Sequence, residues 1–177
     1  MDVFEAFGRR HSYRGGFQDQ TLSRETLRKI VEAGLKAPSG RNMQTTQFVI
    51  VDDPETVGKI RDMHQKTKSM QQAAAYIACI VDKDAGAVYE GFSFQVEDCS
   101  AAVENMLLAV TAFNLATVWI DGWLRMEGRA EKIGELLGVP GEKIVRVILP
   151  IGTPTEECQG PLKKPFGERA WFNKYGV

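Results

Sequence analysis

The run RRHSYRGGF, residues 9–17, sets three arginines, a histidine and a hydroxyl residue within six positions. Arg10, Ser12 and Arg14 alternate, so an extended backbone would present all three on one face. Two guanidiniums and a hydroxyl on one face suit a phosphate together with a second electron-rich oxygen group. A solvated basic loop would look the same in sequence. The net charge of the chain is −1, so the positive charge is local to this stretch.

Three further stretches carry groups that could meet a ligand. In APSGRNMQ, residues 37–44, Ser39, Asn42 and Gln44 offer donors and acceptors suited to the edge of a heterocycle. The same Pro38-Ser39-Gly-x-Asn run is also ordinary turn chemistry. In VWIDGW, Trp119 and Ile120 read either as core or as a cofactor wall, and Asp121-Gly122 marks a turn where backbone could approach a ligand closely. In PLKKPF, Lys163 and Lys164 could neutralise a phosphate, or stand as an exposed lysine pair in a tail.

The elements that must position these groups follow from periodicity. A brief apolar helical turn around Val3, Phe4 and Phe7 precedes the basic run. SRETLRKIVEAGLKAP predicts a helix capped by Ser23, with Leu27, Ile30, Val31 and Gly34 on one face and Pro38 as its stop. QFVIVDD predicts a buried strand, and Asp53-Pro54 the cap and first turn of a helix carrying Val57, Ile60 and His64 on one side. AYIACIV is a second strand. Residues 97 to 114 give the longest helix, apolar on most sides and therefore central. LATVWI is the third strand, RAEKIGELLG a helix stopped by Gly138 and Pro140, and KIVRVILPIG the fourth strand. The interleaving points to an α/β to α+β domain with a four- or five-stranded sheet. The last 25 residues lack periodicity but hold Phe166, Trp171, Phe172 and Tyr175, which suits a tail that docks on something, a partner subunit being the natural candidate.

Bulk composition narrows the function. The 177 residues fit one domain, 1–177, with 44% apolar and 25% charged residues. Near-neutral charge argues against a nucleic-acid or membrane-surface binder. No apolar run approaches the roughly 18 residues of a membrane span, and MDVFEAFGRR lacks the apolar core of a signal peptide, so a cytoplasmic location is expected. Cys79, Cys99 and Cys158 are odd in number and form no CxxC, which suits free thiols. With only His11 and His64 beside them, no metal site is expected. Neither GxGxxG nor GxxxxGK[ST] occurs, so any nucleotide cofactor is held without the familiar phosphate loops.

Taken in order, Arg10-x-Ser12-x-Arg14, Pro38-Ser39-x-x-Asn42-x-Gln44, the long Ala-rich helix running into TVWI, ILPIGTP and KKP…YG resemble the nitroreductase family from about residue 4 to 176. The resemblance implies an α+β, three-layer α/β/α-like fold: a central, mostly antiparallel sheet flanked by helices, in an intertwined homodimer. Residues 153–177 would be a C-terminal extension packing on the partner. It implies FMN in pockets at the subunit interface, NADH or NADPH as donor, hydride transfer through flavin N5, and a small acceptor such as a nitroaromatic, quinone or flavin. Arg10 and Ser12 would hold the phosphate and ribityl end, and Arg14 the N1/O2 side of the ring. Lys163, with Lys164 beside it, would give a second phosphate contact. Ser39, Asn42 and Gln44 would come from the partner, and His11 would contribute backbone more than ring. Trp119 and Ile120 fall in the matching TVWI run.

No catalytic side chain is implied, because the flavin carries the chemistry. The chain departs from the family after Asn42: many members continue Gln-Pro-Trp, whereas Gln44 is followed here by Thr45, Thr46 and Gln47. Residues 61–75 carry over no flavin contact. The short chain leaves little room for inserted helices, which implies a wide, exposed flavin face and loose substrate specificity. The competing readings are a specialised reaction such as reductive dehalogenation, an FMN-binding sensing or storage module without turnover, and a structural protein with a basic loop.

Overall fold

A computed structural model describes residues 1–64 and 66–177. Six helices and four strands follow in the order α1 (Val3–Arg9), α2 (Arg24–Leu35), β1 (Gln47–Val51), α3 (Pro54–Met63), α4 (Lys68–Gln71), β2 (Ala75–Asp82), α5 (Gln95–Ala112), β3 (Ala116–Thr117), α6 (Arg129–Leu136) and β4 (Lys143–Gly152) among the described residues. Side chains cap the starts of the first three helices: Asp2 accepts from the Glu5 N–H at 2.9 Å, Ser23 from Thr26 at 3.1 Å and Asp53 from Thr56 at 2.8 Å.

The strands form one antiparallel sheet in the order β1-β2-β4-β3. Alternation along β2 feeds two cores. Tyr76, Ala78 and Ile80 face Val57 and Ile60 of α3, Met70 of α4 and Ile133 of α6. Ala75, Ile77, Cys79 and Val81 face Leu27 and Ile30 of α2 and Val103 and Met106 of α5. Both faces of the central strands are therefore covered, which is why β2 and β4 read as continuous apolar runs rather than alternating ones. The architecture is the expected α+β arrangement of a central sheet between helical layers. α2 and α5 cross closely at Gly34, where an added Cβ would lie 2.9 Å from Met106 Cγ.

Between Cys79–Val147 and Ile80–Val145 the pairing leaves Arg146 without an opposite residue. This bulge reverses the phase of β4, sending Val145 to one core and Val147 to the other. It also aims Arg146 at Asp121, whose carboxylate accepts from Arg146 Nη1 at 2.7 Å and from both Nε and Nη2 of Arg125 at 2.7 Å.

The expected six-residue strand LATVWI is shorter. β3 pairs only at Ala116 and Thr117, and the ladder resumes as a single bridge between Ile120 and Ile148. The register between them puts Val118 opposite Pro150, which has no N–H to donate, so the ladder is interrupted there. The long helix begins two residues earlier than expected, at Gln95, and ends at Ala112. The brief apolar turn at the N-terminus is a full helix, α1, capped by Asp2. α4 lies in a polar segment without helical periodicity and owes its place to Ser69 and Met70, both buried.

Candidate functional site

The basic run leaves α1 at Arg10 and continues as extended chain along the open edge of β3. The Tyr13 N–H donates to the Thr117 carbonyl at 2.9 Å, and the Gln18 and Thr155 N–H groups tie the segment to the chain beyond β4 at 2.9 and 3.0 Å. Tyr13 and Phe17 are buried and stack with ring centroids 5.5 Å apart. Gly152 makes room for them, because an added Cβ there would lie 2.5 Å from Phe17 Cγ. With Tyr13 turned inward, its neighbours Ser12 and Arg14 turn out.

That outward face lines a cavity of about 1160 Å³. Arg10, Ser12 and Arg14 form one side, Leu107 and Thr111 of α5 and Thr117 of β3 another, and Glu156, Cys158 and Lys163 of the tail the third. Arg10 is partly compensated by Glu104, 3.5 Å away. Arg14 and Lys163 have no ion-pair partner among the described residues. Glu156 and Glu157 temper the positive charge from the tail side. The Thr117 hydroxyl is buried without a hydrogen-bond partner. Cationic donors, the Ser12 hydroxyl and apolar walls from Leu107 and Leu115 fit a ligand with an anionic end and a flat apolar body.

His11 also lines the cavity. Its Nδ1 lies 3.0 Å from the Arg9 carbonyl, which only accepts, so Nδ1 carries the proton and donates. Nε2 is left facing Cys158 Sγ at 3.0 Å.

The second stretch lies elsewhere. The loop at Pro38–Gln44 is anchored on the start of α5: the Gly40 N–H donates to Asp98 Oδ1 at 2.8 Å, and the Thr45 hydroxyl to Oδ2 at 3.2 Å. Ser39 Oγ accepts from the Gln44 N–H at 2.9 Å. Arg41, Asn42 and Gln44 all hold left-handed backbone, with φ of 50°, 58° and 52°. For Arg41 and Gln44 this costs about 1–2 kcal/mol each, whereas Asn tolerates it, so the loop is held in shape by its anchors. Within one chain it does not line the cavity.

Trp119 and Ile120 do not line it either: they pack against the two cores at the β3 edge. Lys164 turns away and pairs with Glu168 at 3.5 Å. Of the residues singled out in sequence, the fold brings Arg10, His11, Ser12, Arg14 and Lys163 together. Sequence reasoning missed Thr117, Asp98 and the placing of Cys158; an isolated Thr, Asp or Cys carries no spacing signal.

In the 61–75 segment, the part described makes structural contacts. Arg61 donates to the Ala73 carbonyl at 2.6 and 3.2 Å. His64 packs on Trp123 with ring centroids 4.7 Å apart, and burial holds its pKa below the ordinary value, assisted by Arg129 and Lys66. Gln65 lies outside the described residues. Among the described residues no group of three or more His, Cys, Asp or Glu side chains gathers as metal ligands, and no helix is long and apolar enough to cross a membrane.

The model of the nitroreductase family matches residues 8–80 and 61–153. An Archaeoglobus fulgidus protein named "Putative NADH dehydrogenase/NAD(P)H nitroreductase" is 33% identical over 141 residues, covering 80% of this chain and 79% of its own. A Methanothermobacter thermautotrophicus protein of the same name is 32% identical over 156 residues, covering 88% and 79%. Among solved structures, an FMN-dependent nitroreductase of Clostridium difficile R20291 is 27% identical, with a TM-score of 0.80 over 97% of this chain and 99% of that one. A Bacteroides thetaiotaomicron structure, 24% identical with a TM-score of 0.82 over 98% of both chains, shares the fold.

Proposed function

The chain belongs to the nitroreductase family, and we propose that it is an FMN-dependent oxidoreductase that uses NADH or NADPH to reduce a small acceptor of the nitroaromatic, quinone or flavin class. The observation that carries this reading is the convergence of Arg10, Ser12, Arg14 and Lys163 on one cavity. FMN, when bound, would supply the redox chemistry, taking a hydride at N5 and passing reducing equivalents to the acceptor.

The protein supplies binding and electrostatics. Arg10 and Lys163, far apart in sequence but lining one cavity, meet the phosphate. Ser12 meets the ribityl end. Arg14 places positive charge at the ring edge that becomes electron-rich on reduction. The proposed reaction needs no acid–base pair from the protein, because the flavin carries the chemistry.

The functional unit we propose is a homodimer. Leu162, Phe166, Phe172 and Tyr175 stand exposed on the tail, from 63% for Phe166 to full exposure for Leu162, and a partner surface would cover them. In such a dimer the partner's 38–44 loop delivers Ser39, Asn42 and Gln44 to the flavin, which gives a role to a loop held in costly backbone. Residues 153–177 then serve both to close the cavity, through Lys163, and to clasp the partner.

The test is the visible absorption spectrum of the purified protein, repeated without oxygen after NADH and then NADPH. Flavin bands bleached by either nucleotide support the reductase reading and name the donor. Bands that persist with both favour a binding module without turnover. A protein that stays colourless after incubation with FMN overturns the assignment.

A further inference from the structure

We propose that Cys158 and His11 form a nucleophile–base pair in the cavity wall, and that electrophiles of the α,β-unsaturated carbonyl class, quinones included, add covalently to Cys158 there. The pair stands on geometry independent of any flavin. Cys158 is exposed and free, with its Sγ 3.0 Å from His11 Nε2. His11 Nδ1 donates to the Arg9 carbonyl at 3.0 Å, which selects the tautomer whose Nε2 lone pair faces the thiol. A nucleophile within reach of a base that a third group orients is the arrangement that activates thiols in covalent catalysis. The tail is seated for this contact at Gly160, where an added Cβ would lie 2.7 Å from His11 Cβ.

The step balances without an oxidant. The thiol proton passes from Sγ to Nε2, and the sulfur electron pair forms a C–S bond to the β-carbon of the electrophile. The C=C electron pair moves to the carbonyl oxygen as an enolate, which then recovers the proton from His11. The charged groups around the pair are Arg9, Arg10 and Arg14 from the first segment and Glu156, Glu157 and Lys163 from the tail. The cations favour the enolate, and an adduct on Cys158 takes up space that an anionic ligand would use.

The other two cysteines are buried, so alkylation of the native chain reads Cys158. The probe is N-ethylmaleimide, an α,β-unsaturated dicarbonyl, applied to the full-length protein as purified at pH 6.5, with the adduct mapped by mass spectrometry. A free thiol is only about one per cent ionised at that pH, so a base-assisted cysteine outpaces N-acetylcysteine by about tenfold or more. His11→Gln removes the base and slows the reaction by a similar factor at pH 6.5 but not at pH 9.5, where bulk hydroxide takes the place of the imidazole. His11→Asn, which retains a donor toward the Arg9 carbonyl, gives the same result and serves if the Gln variant folds poorly. Equal rates for wild type and both variants at pH 6.5 overturn the pair. So does a rate no faster than N-acetylcysteine, or a slowing of equal size at both pH values.

Discussion

At the residue scale, the division of labour among the cations gives two separable outcomes. Lys163→Ala is expected to weaken FMN binding by about 1–3 kcal/mol, the range for losing a charge-assisted contact, read by fluorescence titration. An unchanged affinity returns Lys163 to the solvent. Arg14→Ala acts on the ring instead: without the cation, the anionic reduced flavin is less favoured, so the midpoint potential falls. Potentiometric titration checks this, and an unmoved potential removes Arg14 from the ring edge.

His64 gives a third outcome, on stability. Its folded pKa is depressed by burial against Trp123, so the native state holds it neutral. As pH falls through about 6.5 the unfolded chain takes up the proton first, and stability declines. Urea unfolding at pH 7.5 and 5.5 should show this loss in wild type and a smaller one in His64→Leu. Equal losses would mean that other groups carry the pH dependence.

At the element scale, the site depends on close approaches more than on caps. Gly152 lets Phe17 lie over the end of β4, and Phe17 with Tyr13 turns Ser12 and Arg14 outward. Gly152→Ala forces a methyl group against a buried ring, so a loss of about 1–3 kcal/mol is expected. For a chain of this size that is a fall in Tm of roughly 2–12 °C by calorimetry. A Tm within a degree of wild type would show that Phe17 gives way freely. The periodicity of α2, α3 and α6 was legible because each has one apolar stripe and a recognisable cap or stop. β3 was overread because its composition is strand-like throughout. What shortens it is a proline on the neighbouring strand, 32 residues away in sequence from the Val118 it faces.

At the scale of the whole molecule, two cores on either side of one sheet make a stable frame, and the cavity lies at its β3 edge where the two ends of the chain meet. The tail carries the least buried apolar surface of the protein. Deleting 156–177, which keeps the Thr153 and Thr155 bonds to the Gly16–Gln18 segment, is expected to leave β4 and the two cores intact while abolishing both FMN retention and dimer formation, measured by absorbance and light scattering. A truncated chain that remains a flavin-loaded dimer would overturn the proposed double role of the tail.

The sequence by itself determined the α+β class, most helix and strand positions and the motif order of the family. These are local: periodicity, caps and breakers act over a few residues, and an ordered set of short motifs survives being read without coordinates. Only the tertiary structure decided which motifs share a cavity. It joined Arg10, Ser12 and Arg14 to Lys163, and His11 to Cys158 across 147 positions. It also set Trp119 and Ile120 into the cores, and fastened the 38–44 loop to Asp98, 58 residues from Gly40. Contacts at such separations leave no periodic trace, because they are fixed by how the sheet and helices pack rather than by any property of the neighbouring residues in the chain.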